Sequence, residues 1–265
     1  MLSIINMTKL QQMLSLNQTL RSTAVEIIYL HQIAGLLLSA YFLLFIYPKT
    51  GLDQTLIAPY FDIATQNFPL KHQVFLEKFM HTGLKYCMIF IAIACLLAGL
   101  QPNTHKAYRA SILKNFIDHH QKQFILAFVG MVASTSVISL LKSISMHGCP
   151  NDLTLYGGEL PLLTLFEHLP AGVAAGHCFP GGHASGGFAL MAFSFAFREQ
   201  KPKFAAVMLA LALVLGFSMG WAQMLRGEHF LSHNLWTAWL MWLVLFVLFT
   251  LKTLIEKTKD VSNTQ

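Results

Sequence analysis

Cys178-Phe179-Pro180-Gly181-Gly182-His183-Ala184-Ser185 ends a polar loop and opens an apolar run from Ala184 to Phe197. Pro180 suits the last extended residue before a helix, and Gly181 and Gly182 let backbone amides approach a ligand with no Cβ in the way. A helix start carries unpaired N–H groups and partial positive charge, which suits an anion. His183 stands there as a candidate acid or base. Read alone, the same stretch is equally a Gly-rich lead into a membrane helix with an incidental histidine, so the decision falls to the sequence on either side.

The surrounding composition points to a membrane. The chain has 265 residues, of which 55% are hydrophobic and 11% charged, and its mean hydropathy is +0.54. Several apolar runs approach the roughly 20 residues that cross a bilayer. Spanning backbone must satisfy its own hydrogen bonds, so an all-α polytopic membrane bundle is the expected fold. We read about six transmembrane helices, over residues 27–47, 84–100, 124–141, 184–197, 204–221 and 235–251. The fourth is short and is expected to borrow length from the Gly-rich turn. No repeat or low-complexity linker divides the chain, so residues 1–265 read as a single domain. Residues 1–23 lack the pattern of a signal peptide. Leu2, Ile5, Leu10, Met13, Leu14 and Leu20 alternate there with polar residues, as in a short interfacial amphipathic helix.

Lys and Arg placement orients the bundle. With both termini inside, 12 of the 18 Lys and Arg fall on inner segments and 6 on outer ones. The loops around 48–83, 142–183 and 222–234 then face out. The excess over 12 Asp and Glu belongs to inner loops and not to a nucleic-acid surface, because no basic patch interleaves with aromatics on a soluble element.

Three polar clusters fall at the outer ends of spans. Lys142 precedes Ser143-Ile144-Ser145-Met146-His147-Gly148-Cys149-Pro150. The turn with His183 is the second. Gln223-Met224-Leu225-Arg226-Gly227-Glu228-His229-Phe230-Leu231-Ser232-His233-Asn234 is the third, with His229 and His233 four apart and able to share a helix face. Singly, each reads as interfacial trim, with Lys142 snorkelling to the headgroups.

Taken in order, they resemble the type-2 phosphatidic acid phosphatase superfamily of membrane lipid phosphatases, whose pattern is K-x6-R-P, P-S-G-H and S-R-x5-H-x3-D on six spans. Lys142 with Cys149-Pro150 fits the first spacing, with Cys in place of Arg. Pro180-Gly181-Gly182-His183 fits the second, with Gly in place of Ser. His229 fits the third, with Ala222-Gln223 in place of Ser-Arg and His233 in place of Asp. The core motifs lie within residues 124–250. The resemblance implies metal-independent phosphoryl transfer without a cofactor, in which His229 is the nucleophile, forming a phosphohistidine, and His183 protonates the leaving oxygen. Lys142, Arg226, Gln223 and the amides at Gly181 and Gly182 would bind the phosphate. His233, Glu228 and Asp152 are each open as support for His229. The implied substrate is a lipid phosphate in a bacterial inner (plasma) membrane, with the site facing the periplasm. An isoprenyl diphosphate, phosphatidylglycerophosphate, phosphatidate and a lipid A phosphate all fit.

A lipid phosphotransferase would carry the same residues, and a lipid- or anion-binding membrane protein is a further alternative. So is a zinc hydrolase using His229 and His233 with His183 or His147, although H-E-x-x-H is missing and Lys142 and Arg226 would have no task. Phe61, Phe68, Phe75 and Phe79 of the first outer loop read as a lid or acyl-chain rest, or as interface aromatics. Cys87 and Cys95 fall within the second span, as apolar fillers. Cys149 and Cys178 share one outer loop, where an oxidising compartment permits a disulfide, against the alternative of two free thiols. Closing that loop would limit the chain's freedom by about 3–4 kcal/mol in the chain-entropy model.

Overall fold

In the computed structural model, residues 26–102 and 112–262 are described. The amphipathic helix expected at 1–23 lies outside them. The described residues are helical, with two isolated bridges and no strand. Five helices are long and apolar enough to cross a membrane: Glu26–Thr50, Phe75–Leu100, Gln121–Ser143, Pro202–Leu225 and Leu231–Lys259. The chain is a membrane protein built as an all-α polytopic bundle.

The chain divides into two compact units, Met1–Ile46 and Tyr47–Gln265. In the first, helix α1 starts at Glu26 and closes on a π-helical turn, Phe42–Ile46. In the second, α2 (Leu52–Ile57) is a short helix. It is followed by α3 (Phe75–Leu100), α4 (Ile112–His119), α5 (Gln121–Ser143), α6 (Gly182–Phe188), α7 (Met191–Phe197), α8 (Pro202–Leu225) and α9 (Leu231–Ser262).

Two boundaries differ from the sequence reading. The second span starts at Phe75 and not near residue 84, because its first turns form a π-helix, Phe75–Gly83. Glu77, Lys78, His81 and Lys85 make that segment look like loop. The expected fourth span is two seven-residue helices, α6 and α7, broken at Ala189 and Leu190. At 1.5 Å per residue the pair reaches about 24 Å, short of a roughly 30 Å hydrocarbon core. Its side chains from Ala184 to Phe197 are nearly all buried, and a helix apolar all round belongs at the centre of its bundle. The main core accordingly joins Phe188, Met191, Phe193, Phe195 and Phe197 to Met88, Met131, Ile138, Met241, Leu245 and Phe249.

The close fit of α6 on α8 depends on glycine. A Cβ on Gly187 would strike the backbone of Gly216, and one on Gly216 would strike the Phe188 ring. Small residues let membrane helices approach this closely, and dispersion rewards the contact. Beyond the ends of the long helices, the three connecting segments make a smaller core of Ile57, Phe68, Leu153, Tyr156 and Phe230. Phe61 packs on Phe68 and Tyr156 at 5.2 Å from each, so Phe61 and Phe68 are core and not a lid. Phe75 and Phe79 stack on each other on the exposed side of α3.

Overfilling the α6–α8 contact has a measurable cost. Gly216→Val in detergent-solubilised protein is expected to lower the thermal midpoint by about 4–10 °C, from roughly 1–3 kcal/mol of overpacking. Gly35→Ala, where a Cβ meets nothing within 4 Å, should leave it within about 2 °C. Equal midpoints for both variants would contradict the close packing.

Candidate active site

The Lys142 and His183 segments are braced together. After α5, residues 145–148 run beside 176–178, with Gly176 N–H donating to Met146 O (3.3 Å), His177 N–H to Ser145 O (3.2 Å) and Cys178 N–H to His147 O (2.9 Å). Gly148 and Gly176 make this possible, since a Cβ on Gly176 would strike Gly148 Cα. The pair ends in a disulfide between Cys149 and Cys178, whose Cα atoms are 5.1 Å apart. Asp152 accepts the Cys149 N–H at 3.2 Å and so caps this loop.

The Gly-rich turn is fastened to α9 from the other side. Gly181 N–H donates to His233 O at 3.3 Å, and Thr237 Oγ1 lies 3.2 Å from Gly181 O and 2.7 Å from His233 O. This corrects the expectation that the Gly181 amide binds phosphate: it is already engaged, and a Cβ there would press on Asn234 Oδ1 at 2.9 Å. Gly182 serves differently. A Cβ on it would lie 3.4 Å from Lys142 Cδ and 4.0 Å from Lys142 Nζ, so Lys142 lies along the turn just before His183. At the start of α9, Asp53 Oδ1 accepts Ser232 N–H (2.9 Å) and Tyr47 O–H (2.8 Å), holding the helix that carries His233.

His229 is buried, and its Nδ1 lies 3.3 Å from His233 Nδ1 and 3.4 Å from Cys178 Sγ. His233 is therefore the partner left open by the sequence. Glu228 Oε1 instead accepts Asn151 Nδ2 at 3.3 Å, and Asp152 serves the Cys149 cap. Across the site, the rings of His183 and His229 are 6.4 Å apart between centroids and tilted by 44°. His183 Nδ1 is buried with no hydrogen-bond partner among the described residues. Arg226 donates through Nε to Lys71 O (2.8 Å) and through Nη1 to Gln223 Oε1 (3.0 Å). Those bonds anchor its charge and turn the Gln223 amide so that Nε2 is buried with no partner among the described residues.

His81 was not singled out by the sequence. Its ring lies 3.8 Å from that of His183, one face against the other at 36°. The signal available was His81 and Lys85 four residues apart near the outer end of a span, obscured because His81 reads as loop.

Burial and like charge keep the site histidines neutral. His183 is pushed down to about 3, first by burial and then by the charges of His81, Lys142, Arg226 and Lys85. His229 is held well below the ordinary imidazole range, again by burial first and then by His233, Lys142, His183 and His81. Lys142 and Arg226 thus both act electrostatically on His183.

Among the described residues, the grouping with ligand atoms within 4.8 Å of one another is Cys149, Cys178 and His229, joined by neither His183 nor His147. Its two sulfurs are bonded to each other, so they offer no thiolate to a metal. His147 uses its ring nitrogens on Ser145 Oγ (3.3 Å) and Thr164 O (3.2 Å).

A family model described as the PAP2 superfamily matches residues 123–256, from α5 through most of α9. No curated protein and no solved structure matches the chain. For the cysteines, alkylation of unreduced, denatured protein is expected to label Cys87 and Cys95 and to spare Cys149 and Cys178, as read by mass spectrometry. Labelling of all four without reductant would contradict the bridge.

Proposed function

Because the chain belongs to the PAP2 superfamily, a superfamily of phosphatases, we propose that it hydrolyses an amphiphilic lipid phosphate, monoester or diphosphate, at the outer face of its membrane through a phosphohistidine. An isoprenyl diphosphate, phosphatidylglycerophosphate, phosphatidate and a lipid A phosphate are the candidate substrates. The observation that carries this reading is the arrangement of three imidazoles. His229 is backed at Nδ1 by His233 and faces His183 across a gap flanked by Lys142 and the anchored Arg226.

For His229 to attack through Nε2, that nitrogen needs its lone pair, so the proton must sit on Nδ1 and be donated to His233 Nδ1. His233 accepts as a neutral ring and fixes the tautomer as a carboxylate would, with less electrostatic support. Attack forms the N–P bond while the P–O bond to the lipid breaks. The electron pair stays on the leaving oxygen, which takes a proton from His183. Water then attacks phosphorus, gives a proton to His183, and breaks the N–P bond to release inorganic phosphate. Lys142, Arg226 and the unpartnered Gln223 Nε2 oppose the charge on the equatorial oxygens, where preorganised donors contribute most.

The histidines should fail differently. His229→Ala is expected to abolish the acid-labile, base-stable phosphoenzyme formed from labelled substrate and to lower turnover by at least about 10³-fold. His183→Ala should lower turnover on lipid phosphates by about 10²–10⁴-fold, yet still allow labelling from a substrate whose leaving group needs no proton. A phosphoenzyme in His229→Ala would overturn the nucleophile assignment.

The pH profile follows from neutral histidines. Free His229 stays deprotonated well below 6.5, so no acid limb near that value is expected in kcat/KM. Free His183, at about 3, is neutral at working pH and must gain its proton with the substrate. The reactive complex therefore holds one proton more than neutral His183 plus a phosphate dianion. As pH rises past the second phosphate ionisation, near about 6, kcat/KM should fall tenfold per unit. Rates between about pH 4.5 and 9 in mixed micelles check this, and a bell with its acid limb near 6.5 would contradict it.

A further inference from the structure

Four imidazoles stand in a row, and the proposed reaction uses only three. His233 and His229 have centroids 5.5 Å apart, His229 and His183 6.4 Å, and His183 and His81 3.8 Å. We propose that His81 determines specificity by binding an anionic leaving group, so that the favoured substrate is a lipid diphosphate. This rests on the hydrolase reading above and extends it.

The argument is one of position and charge. The phosphoryl being transferred must lie between the nucleophile, His229, and the proton donor, His183. The leaving oxygen then lies on the His183 side, and whatever is bonded to it continues toward His81. Arg226 and Lys85 are cations that act on His183, the ring lying against His81, while Glu77 lies one turn before His81 and Glu228 next to His229. Glu228 is engaged by Asn151 Nδ2, and Lys85 lies one turn beyond His81 on α3. An alcohol leaving from a simple phosphate ester is neutral and would gain little from this wall. A phosphate leaving from a diphosphate carries the negative charge that it suits.

The backbone supports a functional use of this wall. His81 belongs to the nine-residue π-helical stretch of α3, and Thr82 Oγ1 donates back to Glu77 O at 3.2 Å, five residues away. π-helical turns are rare and occur frequently at functional sites. His81 is only half-buried, unlike His229 and His233, and its Nδ1 lies 3.4 Å from Thr82 Oγ1, which leaves Nε2 as the nitrogen to meet an anion. Bond changes balance without a further reactant. The bond from the bridging oxygen to the terminal phosphorus breaks, its electrons remain on the bridging oxygen, and the lipid monophosphate departs with the proton from His183 as needed. His229 holds the terminal phosphoryl until water releases it.

The test uses the full chain in mixed micelles, with an isoprenyl diphosphate and the isoprenyl monophosphate of the same tail. The wild type is expected to favour the diphosphate in kcat/KM by at least about tenfold. His81→Phe keeps a ring against His183 but removes the donor, and should lower that ratio about tenfold, mainly through KM for the diphosphate. His81→Gln should recover part of it. An unchanged ratio, whether both rates fall together or neither moves, would overturn the proposal and leave His81 as a shoulder for His183. A second measurement separates this from the hydrolase reading. Inorganic pyrophosphate should raise the thermal midpoint of wild-type protein more than orthophosphate does, and His81→Phe should abolish the difference. If neither lipid releases phosphate, the hydrolase reading fails while this comparison still decides: equal stabilisation by both anions in the wild type would overturn the role of His81.

Discussion

The disulfide between Cys149 and Cys178 is the constraint on which the site depends. It closes the strip in which residues 145–148 lie beside 176–178, and so ties the end of α5 to the turn before α6. Lys142 and His183 take their places from those two segments. Cys178 Sγ also lies against His229 Nδ1, so the same bridge forms part of the wall around that ring. The remaining fastenings converge on it: Asn151 N–H donates to Gly227 O, and Gly181 N–H to His233 O. No one helix carries the site, which is assembled where three loops meet beside a small, partly aromatic core.

Below that assembly, the bundle supplies rigidity. The α6–α7 pair is surrounded by apolar side chains and held against α8 through Gly187 and Gly216. A seven-residue helix makes few internal hydrogen bonds of its own, so tertiary packing must hold α6. His183, its second residue, is accordingly positioned by the bundle and not by local helix stability.

Much of this was legible in the sequence, for reasons that can be named. Apolar runs of near-spanning length have few readings, so the bundle followed from residues such as 204–221 and 235–251. The order of Lys142, His183 and His229 survived the loss of neighbouring motif residues because their spacing reflects where helices end. What the sequence obscured were facts of three-dimensional pairing. Asp152, Glu228 and His233 were equivalent candidates to support His229 until Asp152 and Glu228 were found bonded elsewhere. Gly181 looked like a free amide because its acceptor, His233 O, is more than fifty residues away. His81 was hidden because a π-helical turn carrying Glu77, Lys78, His81 and Lys85 resembles a loop in sequence. α6 and α7 looked like one span because a break at Ala189 and Leu190 leaves no Gly or Pro at the junction itself.

The replacement of an arginine by Cys149 and of an aspartate by His233, relative to the superfamily pattern, changes how the site should respond to ionic strength. Scaffolds held by ion pairs loosen as salt screens them, over a Debye length of about 8 Å at physiological concentration. Here the strip is closed by a covalent bond, and His229 is supported by a neutral ring. Salt can weaken the attraction of Lys142 and Arg226 for an incoming anion, but it has little hold on the frame that places His183 opposite His229. On the proposed reading, substrate capture is electrostatic, whereas the frame around His183 and His229 is held by covalent and neutral contacts.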